Sequence, residues 1–213
     1  MPEKTSRMIA LLGAMRKQMN GAVADSMYYY GRKYGLNYGV SLPTIRSIAA
    51  QEGCNHELAI YLLKQQVREL QLAAWHIADP EIIDAEQGTL WFESILNSEM
   101  AEEAAFALLS KTPHLKAIFH KEIVSDNEYS IYALLMAAAR TLLSSDVEII
   151  EYIPDIIIRF PESRIIDQGA VTLLSAAYNN SEMRDTVKQI VASLQNSPSA
   201  DYIADEMSWR MEF

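Results

Sequence analysis

The chain has 213 residues, half of them apolar and 22% charged, with 28 acidic against 18 basic residues and a formal net charge of −10. Folding at this length hides roughly 70% of the surface of the extended chain, which excludes a disordered tail or a disulfide-stapled miniprotein. The single cysteine, Cys54, has no partner for an internal bridge, and the 10 methionines fit the soft packing of a protein from a reducing compartment, so a cytoplasmic location is expected.

Met1 to Thr5 is polar, and the apolar stretch after Arg7 is interrupted by Gly13, Arg16 and Lys17, so no secretory signal is read there. The longest helical apolar run, Ile131 to Ala139, falls short of the roughly 18 residues of a membrane span. A soluble protein without a membrane partner is expected. Only 8 glycines and 7 prolines punctuate long stretches of Ala, Leu, Ile, Met, Glu and Gln, which predicts helix almost throughout.

In chain order, Ser6 to Met19 and Ala22 to Tyr34 read as two helices separated by Asn20-Gly21. On the second, Val23, Met27, Tyr30 and Tyr34 supply the apolar face that a helix needs and are expected in the core. A glycine-rich connection follows, and Pro43 sits where the next helix begins, at its first turn, with Leu42 extended before it. Farther on, Ala74, Ala105, Ala138 and Ala170 recur at spacings of 31, 33 and 32 residues. Each has companions four before, three after and four after: Leu70, Ile77, Ala78; Ala101, Leu108, Leu109; Leu134, Thr141, Leu142; Ile166, Leu173, Leu174. These offsets fall on one helix face, and the small alanines let neighbouring helices approach closely.

Between these helices lies a second helix each time, over Asp84 to Leu96, Pro113 to Val124 and Asp146 to Phe160. The last is rich enough in isoleucine to suggest a strand, but Pro154 and the helical spacing of Ile153, Ile156 and Ile157 argue against one. Two-helix units of this size bury their apolar faces only by stacking. The expected fold is therefore all-α, a right-handed α-α superhelix of HEAT/ARM-like repeats, a solenoid with a concave groove. It is expected to form a single domain over residues 1–213, made of basic N-terminal helices (1–50) and acidic helical-hairpin repeats (51–213).

Residues 1–50 carry seven basic and two acidic side chains, a net of +5, which leaves 11 basic against 26 acidic, a net of −15, for residues 51–213. The basic part suits a polyanion, and the rest repels one unless its acids face away. The strongest nucleic-acid signal interleaves aromatic and basic side chains: Tyr28-Tyr29-Tyr30-Gly31-Arg32-Lys33-Tyr34, then Tyr38 and Arg46. Arg32, Lys33, Tyr38 and Arg46 are the candidate contacts, the cations to phosphates and the tyrosines to the backbone or to an exposed base. The competing reading makes Arg46 a cap or the partner of an acid.

Gly39, Val40, Pro43 and Arg46 form the pattern Gly-Val-x-x-Pro-x-x-Arg, which resembles the leading motif of the AlkD-like DNA alkylation repair family, proteins built of HEAT-like repeats. Arg68-Glu69 before the small-residue stripe of Leu70 to Ala74 resembles that family's next helix. The resemblance implies hydrolysis of the bond between deoxyribose and a cationic alkylated purine, with a carboxylate to stabilise the sugar and aromatic faces to hold the cation. Active members use a Trp and an Asp one turn apart, then an Arg and a second Trp. Here those places align near Met100 and Ala104, within Leu134-Leu135-Met136, and near Leu173. No catalytic residue is assigned, and efficient excision is expected to be lost.

Glu102 and Glu103 flank Ala104 and Asp167 lies on a later helix, but glutamates on helices are expected to be solvated. Trp75 and Trp91 are expected in the core, and Trp209 to pack the C-terminal tail on the last repeat. His56, His76, His114 and His120 lack metal-ligand spacing, Cys54 lacks an evident base, and no nucleophile elbow or phosphate-cradling loop occurs. No metal or cofactor is expected. Two functions survive: a divergent AlkD-like protein that binds damaged or distorted DNA, and a non-catalytic repeat scaffold that binds a protein or peptide.

Overall fold

The computed structural model describes residues 2–32 and 34–211, which divide into two compact units, Met1–Ile82 and Ile83–Phe213. The first holds α1 (Pro2–Arg16), α2 (Gly21–Tyr29), α3 (Leu42–Glu52), α4 (His56–Leu63) and α5 (Arg68–Ile77). Asn20, Ser41 and Asn55 open α2, α3 and α4 by accepting the backbone N–H of Val23, Thr44 and Leu58, which would otherwise lack a helical partner. Ser41 takes the extended conformation before Pro43, and Leu42 already belongs to the helix, one residue earlier than the sequence predicts. α5 packs on both α3 and α4, and α1 lies against all three. Met15, Ile45, Leu58, Leu62 and Leu70 are buried at this junction.

The second unit holds α6 (Ala85–Glu93), α7 (Ser98–Ala107), α8 (Leu115–Glu122), α9 (Glu128–Ala139), α10 (Val147–Ile150), α11 (Ile153–Arg159), α12 (Arg164–Tyr178), α13 (Arg184–Ser193) and α14 (Pro198–Met211). α7, α9, α12 and α14 pack in succession as one layer, while α6 packs on α8, and α13 on α10 and α11, in a second. Ala105, Ala138 and Ala170 are fully buried in the first layer, and Ala74 is fully buried on α5 of the other unit. Gly169 carries the same logic further, since a Cβ there would lie 3.0 Å from Leu135 Cδ1 and 3.1 Å from Tyr132 Cδ2.

Neighbouring repeats are also tied through backbone groups at loop and helix ends, whose buried carbonyls need donors. Asn127 donates to the Ile95 carbonyl at 3.1 Å, Ser130 to Phe92 at 3.2 Å, Arg159 to Ile123 at 2.8 Å and Ser199 to Phe160 at 3.2 Å. These bonds span 32 to 39 residues, about one repeat. Among the described residues no strand forms; a single parallel bridge joins Leu36 to Val67.

Three expectations change. The helix over Asp146 to Phe160 is two helices, because Pro154 lacks an N–H and is accommodated only in the first turn of α11. Leu142 does not join the stripe: Arg140 ends α9, and Leu142 is 91% exposed in a 3₁₀ turn. Trp209 does not pack the tail; α14 docks through Ala200, Ile203 and Met207, leaving Trp209 63% exposed. Trp75 and Trp91 are buried as expected.

Candidate nucleic-acid interface

α2 ends because Gly31 adopts φ +81°, a left-handed conformation that favours glycine. The N–H of Arg32 bonds to the Met27 carbonyl at 2.9 Å and that of Gly31 to the Tyr28 carbonyl at 3.0 Å, the two bonds of a Schellman cap. The helix thus stops at Tyr29, five residues before the end that the sequence suggests. Its apolar face is not used as expected: no residue of α2 is buried, Val23 is exposed, and Tyr30, predicted in the core, stands out in solvent beside Tyr28 and Tyr29.

The connection that follows α2, residues 34–41, is held by a fully buried ion pair on α5. Arg68 Nη1 lies 3.0 Å from Glu69 Oε1 and donates to the Val40 carbonyl at 2.9 Å. Glu69 in turn accepts the backbone N–H of Tyr38 at 3.1 Å and of Val40 at 3.2 Å. Both charges are thereby hydrogen-bonded as well as paired, the condition under which a buried ion pair is tolerated. Gly35 and Gly39 allow the backbone to come this close: a Cβ on Gly39, whose φ is +68°, would fall 2.1 Å from the Asn20 carbonyl oxygen, and one on Gly35 2.7 Å from that of Gln66. The Asn20 N–H donates to the Tyr38 carbonyl at 2.8 Å, which ties the start of α2 to the same connection.

The four candidate contacts are placed differently. Arg32 is exposed at the capped end of α2. Lys33 lies outside the described residues. Tyr38 is half-buried, with the Arg16 guanidinium 5.8 Å from its ring centroid. Arg46 is half-buried on α3 and is not free of partners. The structure thus joins Tyr38 to Arg16, a residue that sequence reasoning counted as basic but did not place in the site. Arg16 and Lys17 are exposed at the end of α1, and Lys17 lines a cleft of about 480 Å³ with Gln18, Thr44, Ser47 and Gln51. Among the described residues Arg16, Lys17 and Arg32 have no carboxylate partner, whereas Lys4 and Arg7 are paired with Glu57 and Glu52. The signal that could have found the exposed tyrosines is Gly31 itself, one residue past Tyr30 at the position that caps a helix.

In the second unit, the places that align with the AlkD-like catalytic residues are filled by packing. Met100, Ala104, Leu134, Leu135 and Leu173 are fully buried, and Met136 is half-buried. Glu103, expected in solvent, is buried, as is Glu99 one turn before it, while Glu102 is exposed and accepts from the Tyr132 hydroxyl at 3.3 Å. Asp167 is buried, and both its carboxylate oxygens lack a hydrogen-bond donor. Burial pushes its carboxyl above the usual range; the Ser199 hydroxyl and the Arg164 guanidinium, 3.9 Å away, oppose this without cancelling it. Among the described residues no three His, Cys, Asp or Glu side chains are placed to hold a metal, and no helix is long and apolar enough to cross a membrane.

No protein-family model matches the chain, and no curated protein matches it significantly in sequence. A solved structure does match in fold, with a TM-score of 0.70 over 96% of this chain and 95% of that one, at 15% identity. It is described as belonging to a new family of proteins related to the HEAT-like repeat DNA glycosylases, with affinity for branched DNA structures. The likeness spans both units, and what it establishes is architecture: the chain has an all-α, HEAT-like repeat fold shared with a relative of the DNA glycosylases.

Proposed function

We propose that the protein binds DNA through the basic, aromatic face of its first unit, and that it does not excise bases efficiently. The observation that carries the proposal is that Arg16, Lys17 and Arg32 are exposed and, among the described residues, without a carboxylate partner, on the one unit with a positive balance. Residues 1–82 hold nine basic and seven acidic side chains, a net of +2, against nine and 21, a net of −12, for residues 83–213. Lys33 extends the same basic run in sequence, Tyr38 supports Arg16 from below, and Arg46 lies on the adjoining α3. Affinity of the structural neighbour for branched DNA is in keeping with this reading. Buried apolar side chains in place of Trp, Asp and Arg support the loss of excision, because such positions offer neither a charge nor an aromatic face to a substrate.

Binding measured across salt concentrations tests the first half. Each phosphate contact adds nearly one unit to the slope of log affinity against log salt, so replacing Arg16, Lys17 and Arg32 by alanine should flatten the slope by about three. No binding at low salt would remove the proposal. Release of 7-methylguanine from alkylated DNA above a no-protein control would overturn the second half.

The acidic balance of residues 83–213 favours a second reading, a scaffold for a basic protein or peptide. It predicts capture of such a partner with DNA binding absent.

A further inference from the structure

Three consecutive tyrosines stand outside the packing of the first unit: Tyr28 is 69% exposed, Tyr29 82% and Tyr30 78%. They sit at the end of a nine-residue helix that buries none of its side chains. Isolated helices shorter than about 12–15 residues are marginal in water, so α2 is held by its ends instead of by a core. Asn20 caps one end, Gly31 closes the other, and the Asn20 to Tyr38 bond anchors the start to the connection fixed by Arg68 and Glu69. A capped and anchored support is thus built for aromatic rings that stand outside the packing.

Successive residues on a helix point about 100° apart, so the rings fan around the helix end. An apolar stripe for docking a partner helix would need spacings of three and four. Tyr29 and Tyr30 meet edge to face, their centroids 5.2 Å apart and their planes at 87°, so the contact covers one face of the pair, and their high exposure leaves the other faces to solvent. Exposed cations flank the helix, Arg16 and Lys17 before it and Arg32 after it, and Asp25 is the one acid on it. Open aromatic faces on a helix with cations before and after it complement a strand whose bases are unstacked and whose backbone is anionic. Duplex DNA does not offer its base faces, because each is already stacked on its neighbour.

We infer that Tyr28, Tyr29 and Tyr30 form a stacking platform for unpaired bases, so that the DNA held by the first unit is one with a single-stranded segment, such as a fork arm. This rests on the DNA-binding reading above and names the partner more narrowly.

The test uses the full chain and three labelled probes: an oligothymidylate strand, a duplex of equal length, and a fork with an unpaired oligothymidylate arm. The wild type is expected to bind the strand and the fork, and Y29S/Y30S to weaken both by about tenfold or more. Duplex binding and the melting temperature should not change, because neither ring is buried, and Y29F/Y30F should retain strand binding. Three results would overturn the inference while leaving DNA binding intact: duplex bound without strand or fork preference, strand affinity unmoved by Y29S/Y30S, or an equal loss on all three probes. Absence of binding to every probe would sink both readings. If the protein in that case sedimented as two chains, and Y29S/Y30S as one, the tyrosines would belong to a self-association surface and the inference would be overturned.

Discussion

Asp167 illustrates how one side chain can record a cost that the fold carries. It is buried between α12 and α14, and the nearby Ser199 hydroxyl already donates to the Phe160 carbonyl, so its carboxylate has no donor of its own. Because burial raises its pKa, at pH values between the unfolded and folded pKa values the folded state holds a proton that the unfolded chain, with a carboxylate near 3.9, has released. Stability therefore falls as pH rises from the unfolded value through the folded one, and the penalty is full above both. Asp167→Asn should stabilise the protein at pH 7 by about 1 kcal/mol, and the gain should vanish once pH falls below the unfolded value. Urea titrations at several pH values check this; a gain independent of pH would rule out ionisation as its source. Glu69 is the opposite case, a buried charge that accepts from two backbone N–H groups and a guanidinium. Glu69→Ala strands the Arg68 guanidinium and frees the Tyr38 and Val40 N–H groups, for an expected loss of about 3–5 kcal/mol. Burial and the neighbouring Glu102 carboxylate push the Tyr132 hydroxyl up to about 12, so it should ionise well above the usual value near 10 in an ultraviolet pH titration.

At the scale of elements, the helices of the second unit are set by spacing and their ends by particular residues. The alanine stripe predicts which faces meet, and the buried Ala105, Ala138 and Ala170 bear this out. Gly169 shows how close the approach of α9 and α12 is. Gly169→Ala gains up to about 1 kcal/mol in helix propensity but forces a methyl against Leu135 and Tyr132 at 3.0–3.2 Å, so a net loss of about 1 kcal/mol is expected in thermal unfolding. Gly39→Ala meets backbone instead of a side chain and adopts a positive φ, so its loss should exceed that of Gly169→Ala. Where the sequence reading of elements failed, it failed at ends. Pro154 divides α10 from α11, and Gly31 stops α2 before Tyr30 reaches any core, because a helix face is buried only if a second element arrives to cover it.

Over the whole molecule, charge is the property on which the proposed DNA binding rests most directly. The split into +2 and −12 between residues 1–82 and 83–213 predicts that DNA affinity resides in the first. Charge reversal at Arg16, Lys17 and Arg32 should abolish binding, whereas removing exposed acids such as Asp201 and Asp205 on α14 should only raise nonspecific affinity at low salt. Equal effects from the two sets would argue that net charge, and no particular face, drives association.

The sequence by itself determined that the chain is helical, that its helices come in pairs about 32 residues apart, and which small residues line their contacts. Those features are local, since periodicity and helix propensity act within a few turns of the chain. It also located the basic, aromatic segment, because composition is visible without coordinates. Only the tertiary structure decided which members of that segment face solvent. Tyr30 and Tyr38 are equally aromatic in sequence, yet one projects from a capped helix end and the other lies beneath Arg16. The same holds for Glu102 and Glu103, neighbours in the chain and opposites in exposure. Burial depends on what arrives from thirty residues away, and side-chain chemistry alone does not encode that arrival.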